Sequence, residues 1–174
     1  LDPDPPALEN MNDYIIEAVR SRELRWFSFF LHCYENRLNG RVRRFLLREG
    51  LDRYDPERFL DYKMGCVLAM LDCLREYDPA QGADFLTYAH HFIGNALLTC
   101  RMQEEAGSFE NVDEYKAVRG IAWLYNQSGQ SEQATIQKYA QKNGCTEETA
   151  AKFLALAKQN RSRVPFYQTI QDED

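Results

Sequence analysis

The 174 residues carry 21 Lys and Arg against 27 Asp and Glu, a formal charge of −6, with 44% hydrophobic side chains. A chain of this size and apolar content buries a core of its own and is not disordered; its acidic balance excludes a protein that coats nucleic acid through overall positive charge. The longest apolar runs, such as Trp26 to Leu31, fall far short of the roughly 20 residues a bilayer span needs, so no membrane partner is expected.

The chain opens on Leu1-Asp2-Pro3-Asp4-Pro5-Pro6, which reads as a linker or processed end with no signal peptide in view. Apolar positions then recur with helical spacing: Met11, Ile15, Ala18 and Val19; Leu38, Val42, Phe45 and Leu46; Leu60, Met64, Val67, Leu68, Leu71 and Leu74. Asp55-Pro56-Glu57 is a helix start, with Asp as N-cap, Pro where its missing N–H costs nothing and Glu in the first turn; that helix should run to about Tyr77. Phe85, Tyr88, Ala89, Phe92, Ile93, Ala96 and Leu97 mark the next helix, and Val118, Ile121, Ala122 and Tyr125 another. Ala150, Phe153, Leu154 and Ala157 mark the last. No stretch shows sustained strand alternation, so the fold expected is all-α. Asn39-Gly40 lies inside a helical segment, whereas Gly50, Asp78-Pro79, Gly82, Gly107, Ser128-Gly129, Asn143-Gly144 and Pro165 fall near segment ends. The polar stretch Glu104 to Asn111 is the expected boundary. It divides a helical domain over 9–105 from a second over 113–164, with 106–112 as linker and an acidic tail over 165–174.

Chemistry is sparse. Five Cys, at 33, 66, 73, 100 and 145 and never as C-x-x-C, read as free thiols of a reducing compartment, with the cytoplasm as expected location. His32-Cys33, Cys66, Cys73 and His90-His91 lack the paired spacing of a zinc site, and no metal is expected. Neither a nucleophile elbow nor a glycine-rich phosphate loop occurs, so neither an enzyme nor a cofactor is expected.

Charge patterning says more. Arg37, Arg41, Arg43, Arg44 and Arg48 crowd a stretch with no acid, and two readings stand: a solvated face with local salt bridges, or a surface for phosphate or an acidic partner with Arg41, Arg43 and Arg44 as candidate contacts. Lys158, Arg161 and Arg163 form a smaller basic group after the last helix. The run Phe85 to Phe92 is the densest aromatic stretch with polar neighbours. It serves either as core or as a stacking platform for unpaired bases, although Arg101 is its one cation before Phe109. Residues 131–159 have helix-turn-helix spacing around Asn143-Gly144-Cys145-Thr146, with Thr146 as N-cap. Glu147 and Glu148 at the start of the second helix would repel phosphate.

Taken in order, Asp61-Tyr62-Lys63-Met64-Gly65-Cys66, then Leu74-Arg75-Glu76-Tyr77-Asp78-Pro79-Ala80-Gln81-Gly82, then Phe85-Leu86-Thr87-Tyr88-Ala89 resembles the second conserved region of bacterial RNA polymerase sigma factors. That family carries Asp-Leu-Ile-Gln-Glu-Gly, a Tyr/Phe-Asp-Pro-x-x-Gly loop and Phe-Ser-Thr-Tyr-Ala at matching distances. The stretch Ile136-Gln137-Lys138-Tyr139-Ala140, the Asn143–Thr146 turn and the acidic run Thr169 to Asp174 are similar to the third region, and nothing resembles the fourth. The resemblance implies a transcription initiation factor with core RNA polymerase, through the clamp helices of its largest subunit, and promoter DNA as partners. An anti-sigma factor or other regulator is a further partner it admits. It places polymerase contact at Asp61, Tyr62, Met64, Gly65, Val67 and Leu68, and contact with opened minus ten DNA at Phe85, Thr87, Tyr88, His91, Phe92, Asn95 and Arg101, with Tyr88 stacking on a flipped base. The departures are specific. Met64-Gly65 replaces the polymerase-facing Gln-Glu, His91-Phe92 replaces a Trp pair, and positions commonly basic hold Asp84, Gly94 and Thr99, while Asn95 stands for the base-reading Gln. These leave room for an alternative, a sigma-derived protein-interaction module that no longer melts DNA.

Overall fold

A computed structural model describes residues 6–105 and 109–160, and the fold is all-α, with no strand among the described residues. Seven helices are found there: α1 Met11–Ser21, α2 Leu24–Arg48, α3 Pro56–Glu76, α4 Phe85–Glu104, α5 Val112–Ser128, α6 Glu132–Asn143 and α7 Glu147–Gln159, with a 3₁₀ turn at Pro79–Gln81. They form two compact units. The first comprises the chain up to Leu47 and from Leu51 to Cys100; the second comprises Arg48–Gly50 and the chain from Arg101 onward. The division thus falls ahead of the polar stretch that the sequence marks as boundary. Gly107, Ser108, Arg161, Arg163, Pro165 and the acidic run from Thr169 lie outside the described residues.

Helix ends in the first unit follow from local chemistry. The Asn10 side chain accepts from the Asn12 N–H while Asp13 reaches back to the Asn10 N–H, a capping box that starts α1. Arg22, at φ 59°, turns the chain out of α1. α2 then runs through Asn39-Gly40 without a break, as the sequence suggests. Asp55 caps α3 by accepting from the N–H groups of Glu57 and Arg58, with Pro56 at the first helical position, and the helix gives way at Tyr77. The turn from α3 into α4 is over-determined. Asp78 accepts from the Ala80 N–H and the Gln81 amide, Gly82 takes φ 84°, where a Cβ would be strained, and Tyr77 donates its hydroxyl to the Ala83 carbonyl at 2.7 Å. Asp84 then accepts from the Thr87 N–H and Asn12 of α1 accepts from the Phe85 N–H at 2.8 Å, so two side chains serve the orphan donors of α4.

The core of this unit is Ile15, Phe30, Leu38, Val42, Leu46, Tyr62, Cys66, Met70, Phe85, Ile93 and Leu97, all but fully enclosed. Helical spacing is a poorer guide on α3. There the buried line is Tyr62, Cys66, Met70 and Cys73, while Leu60, Met64 and Leu68 stand in solvent. Gly65 sits where α3 and α4 approach closely, since a Cβ there would lie 2.8 Å from the Cys100 Sγ.

In the second unit Asn111, Ser131 and Thr146 cap α5, α6 and α7, and Gly129 and Gly144, at φ 56° and 65°, end α5 and α6. Ile121, Tyr139, Ala140, Ala150 and Leu154 form one apolar cluster, and Val118, Ala122 and Ala157 another. Beside them lies a buried charged group. Glu49 takes both ends of the Arg119 fork at 2.8 Å, and Arg119 also donates to the Tyr115 hydroxyl. Arg101 reaches Glu105 at 2.8 Å and Glu49 at 3.5 Å.

Candidate protein and nucleic-acid interface on the first unit

Two neighbouring stretches of the first unit present side chains that the core does not use. On α3, Leu60 is 55% exposed, Met64 46% and Leu68 57%, spaced four residues apart on one face, with Val67 half-buried beside them and Asp61 exposed at the edge. A shallow groove of about 250 Å³ between α2 and α3, lined by Leu31, His32, Glu35, Leu38, Lys63 and Val67, borders this stripe. Lys63 donates to Glu35 across it at 2.6 Å, and that hydrogen bond holds the Glu35 carboxyl below its usual range.

On α4 the aromatic run splits. Phe85 is wholly buried, its ring meeting Phe30 at 5.5 Å and Tyr77 at 5.4 Å, both edge to face. Tyr77 continues to Tyr88 at 5.6 Å, Tyr88 to Phe92 at 5.7 Å and Phe92 to His91 at 6.3 Å, so a file of rings leads from the core out to solvent. Tyr88 is half-buried in that file, Phe92 is 43% exposed, and His91, also exposed, lies 3.2 Å from the Asn95 amide. Thr87 is exposed on the same side. Such a file holds its outer rings in fixed orientations, the requirement for stacking on an unpaired base.

Four of the expected contact residues are placed differently. Tyr62 and Phe85 are core residues, enclosed by their neighbours, and offer nothing to a partner. Gly65 faces Cys100 rather than an outer surface. Arg101 has a side chain only 12% exposed, surrounded by Glu49, Glu104 and Glu105, so its charge is already spent on carboxylates. Sequence reasoning also missed Leu60 as a candidate contact, although its four-residue spacing from Met64 and Leu68 was visible. Of the arginine group, Arg43 lies over the Phe59 ring at 5.0 Å, while Arg41 donates to the His90 carbonyl at 3.0 Å and meets the His90 Nδ1 at 3.2 Å; Arg44 is exposed.

In the second unit, two of the four lysines on α6 and α7 are paired with carboxylates, while Lys138 and Lys142 are exposed. Lys152 faces Glu110 and Glu114, and Lys158 pairs with Glu132 over the Tyr125 ring. Burial pushes the Cys66 thiol up to about 12 and the Cys73 thiol up to about 11, which leaves both as unreactive packing groups. Among the described residues no three His, Cys, Asp or Glu side chains gather where they could hold a metal ion, and no helix is long and apolar enough to cross a membrane. Comparison with protein-family models, curated proteins and solved structures returns no match.

Proposed function

We propose that the protein is a divergent sigma-type transcription initiation factor that binds core RNA polymerase and helps open promoter DNA at the minus ten element. The observation that carries this reading is the exposed stripe of Leu60, Met64 and Leu68 on the helix whose sequence resembles the polymerase-docking helix of that family. Three large aliphatic side chains held half in water on an ordered helix favour a partner that covers them, each contributing about 1 kcal/mol on burial. Where the family uses a polar Gln-Glu pair, this chain substitutes Met64 and an inward Gly65, so the docking it supports is more apolar. The file Tyr77–Tyr88–Phe92 supports the second half of the reading, because an ordered ring returns to a flipped base about 1–3 kcal/mol of stacking.

The enclosed Arg101 favours the second reading, a protein-interaction module that binds polymerase or another protein without melting DNA. One experiment separates them: capture of purified core polymerase, followed by abortive transcription on candidate promoters. The initiation factor binds and opens. Leu60→Asp with Leu68→Asp abolishes capture, whereas Tyr88→Ala leaves capture intact and abolishes opening. Capture without opening by the unaltered chain selects the module, and no capture overturns the polymerase reading.

A further inference from the structure

The sequence carries the dipeptide Asn-Gly twice, at Asn39-Gly40 and at Asn143-Gly144, and the fold treats the two differently. Asparagine before glycine is open to attack by its own backbone, because glycine has no Cβ to shield its nitrogen from the neighbouring side-chain amide. The attack brings the glycine nitrogen onto the asparagine Cγ, and a regular helix holds those two atoms apart. Asn39 and Gly40 stand in the middle of α2, half-buried, with the Asn39 Oδ1 enclosed. Asn143 is the last residue of α6, and Gly144 follows it at φ 65°, outside the helix; both are exposed. Their restraints are those of one terminal turn. The Asn143 Nδ2 donates to the Tyr139 carbonyl at 2.9 Å, and the Gly144 and Cys145 N–H groups both donate to the Ala140 carbonyl. Terminal turns open at far less free-energy cost than helix centres.

We propose that Asn143-Gly144 is a self-modification site, at which the chain deamidates and turns the connection between α6 and α7 from neutral to acidic. The Gly144 nitrogen gives up its proton to solvent base and bonds to the Asn143 Cγ. The Cγ–Nδ2 bond breaks, ammonia leaves with a proton from solvent, and a five-membered cyclic imide remains. Water then opens either imide C–N bond, giving an aspartyl or an isoaspartyl residue at position 143. One water is consumed and one ammonia released, with no oxidant, metal or enzyme required. The product undoes the cap. It has no amide to donate to the Tyr139 carbonyl, and its carboxylate lies against the negative end of the α6 macrodipole. The isoaspartyl form also adds a methylene to the main chain, which displaces the Gly144 and Cys145 donors from Ala140. Tyr139 and Ala140 belong to the apolar cluster that joins α6 to Ala150 and Leu154 of α7, so loss of the cap loosens that pair. The site is independent of the initiation-factor reading.

The test holds the full chain in mildly alkaline buffer at physiological temperature and samples it over days by mass spectrometry of tryptic peptides. Residues 38–41 and 143–152 fall in separate peptides, so each site is read alone. The mass gain of exchanging an amide nitrogen for oxygen is expected in the 143–152 peptide, split between aspartyl and isoaspartyl products that chromatography separates. It should accumulate at least about tenfold faster there than in the 38–41 peptide. In urea the two sites should approach one rate, because the fold no longer separates them. Asn143→Gln abolishes the gain in the 143–152 peptide, and freshly prepared Asn143→Asp unfolds at a lower urea concentration than the unaltered chain. No gain at position 143 in the folded chain, or equal rates at the two sites before urea is added, overturns the proposal. A difference that persists undiminished in urea also overturns it, by assigning the rates to local sequence. An unchanged urea midpoint for Asn143→Asp overturns the loosening of α6 against α7.

Discussion

Phe85 and Phe92 are seven residues apart on one helix and do opposite work. Phe85 is the hub of an aromatic cluster with Phe27, Phe30 and Tyr77, and Phe92 ends the file of rings in solvent. Phe85→Ala leaves a cavity among large rigid rings that cannot close around it, so urea denaturation should report a loss of about 3–5 kcal/mol. Phe92→Ala removes a ring already 43% exposed and should cost no more than about 0.5 kcal/mol in the same measurement. A similar cost for both would mean that the outer rings belong to the core. This pair also shows what a single sequence can and cannot say. Both residues fit the helical period equally well, and which one enters the core depends on Phe27 and Phe30 of α2, far away in the chain. Arg101 is the same case: the family resemblance implies a DNA contact there, but Glu49, distant in sequence, encloses it.

At the scale of elements, the helix boundaries were legible because their causes are local: Asp55 with Pro56, Thr146, and the glycines at positive φ. The Asp78–Gly82 turn belongs with them, since each residue of its motif has a structural duty there, cap, first-turn Pro or left-handed Gly. The faces of α3 were not legible, because apolar residues occupy two of its sides and only packing decides between them. Gly65 marks the buried side. Alanine is the better helix former by about 1 kcal/mol, but at this position its Cβ meets the Cys100 Sγ at 2.8 Å, too close without a shift of one helix or the thiol. Gly65→Ala should therefore lower stability despite its propensity. Combined with Cys100→Ala, which removes the sulfur, it should be tolerated and recover part of the helix-forming gain. A double-mutant cycle by chemical denaturation measures this coupling, and additive effects would show that α3 and α4 do not meet through these two residues.

Over the whole molecule a charge of −6 coexists with stretches free of Asp and Glu at 36–48 of α2 and 85–103 of α4, because carboxylates are concentrated elsewhere in the chain, some in buried or capping roles whose titration couples to folding. Their signs differ. Asp78, accepting hydrogen bonds from the Gln81 amide and the Ala80 N–H, and Glu35, bonded to Lys63, are both held below their usual range. Their stabilisation is present above the carboxylate pKa of the unfolded chain and is lost as pH falls through the folded value. Glu105 runs the other way. It lies in the interior of the second unit, 8% exposed, and burial of its charge outweighs the help of Tyr115 and of Arg101 at 2.8 Å, so its carboxyl is raised above the ordinary 4.5. The folded state then holds this proton more tightly than the unfolded chain, a contribution fully present below 4.5 and lost as pH rises through the folded value. Glu105→Gln keeps the shape and removes the titration. The stability of the unaltered chain minus that of Glu105→Gln should be greatest in acid and decline as pH rises from about 4.5, levelling once Glu105 is ionised in the folded state. Urea unfolding at a series of pH values measures that difference. A difference that rises with pH would mean that Arg101 and Tyr115 dominate over burial, and that the group around Glu49 and Arg119 holds Glu105 as a fully ionised member.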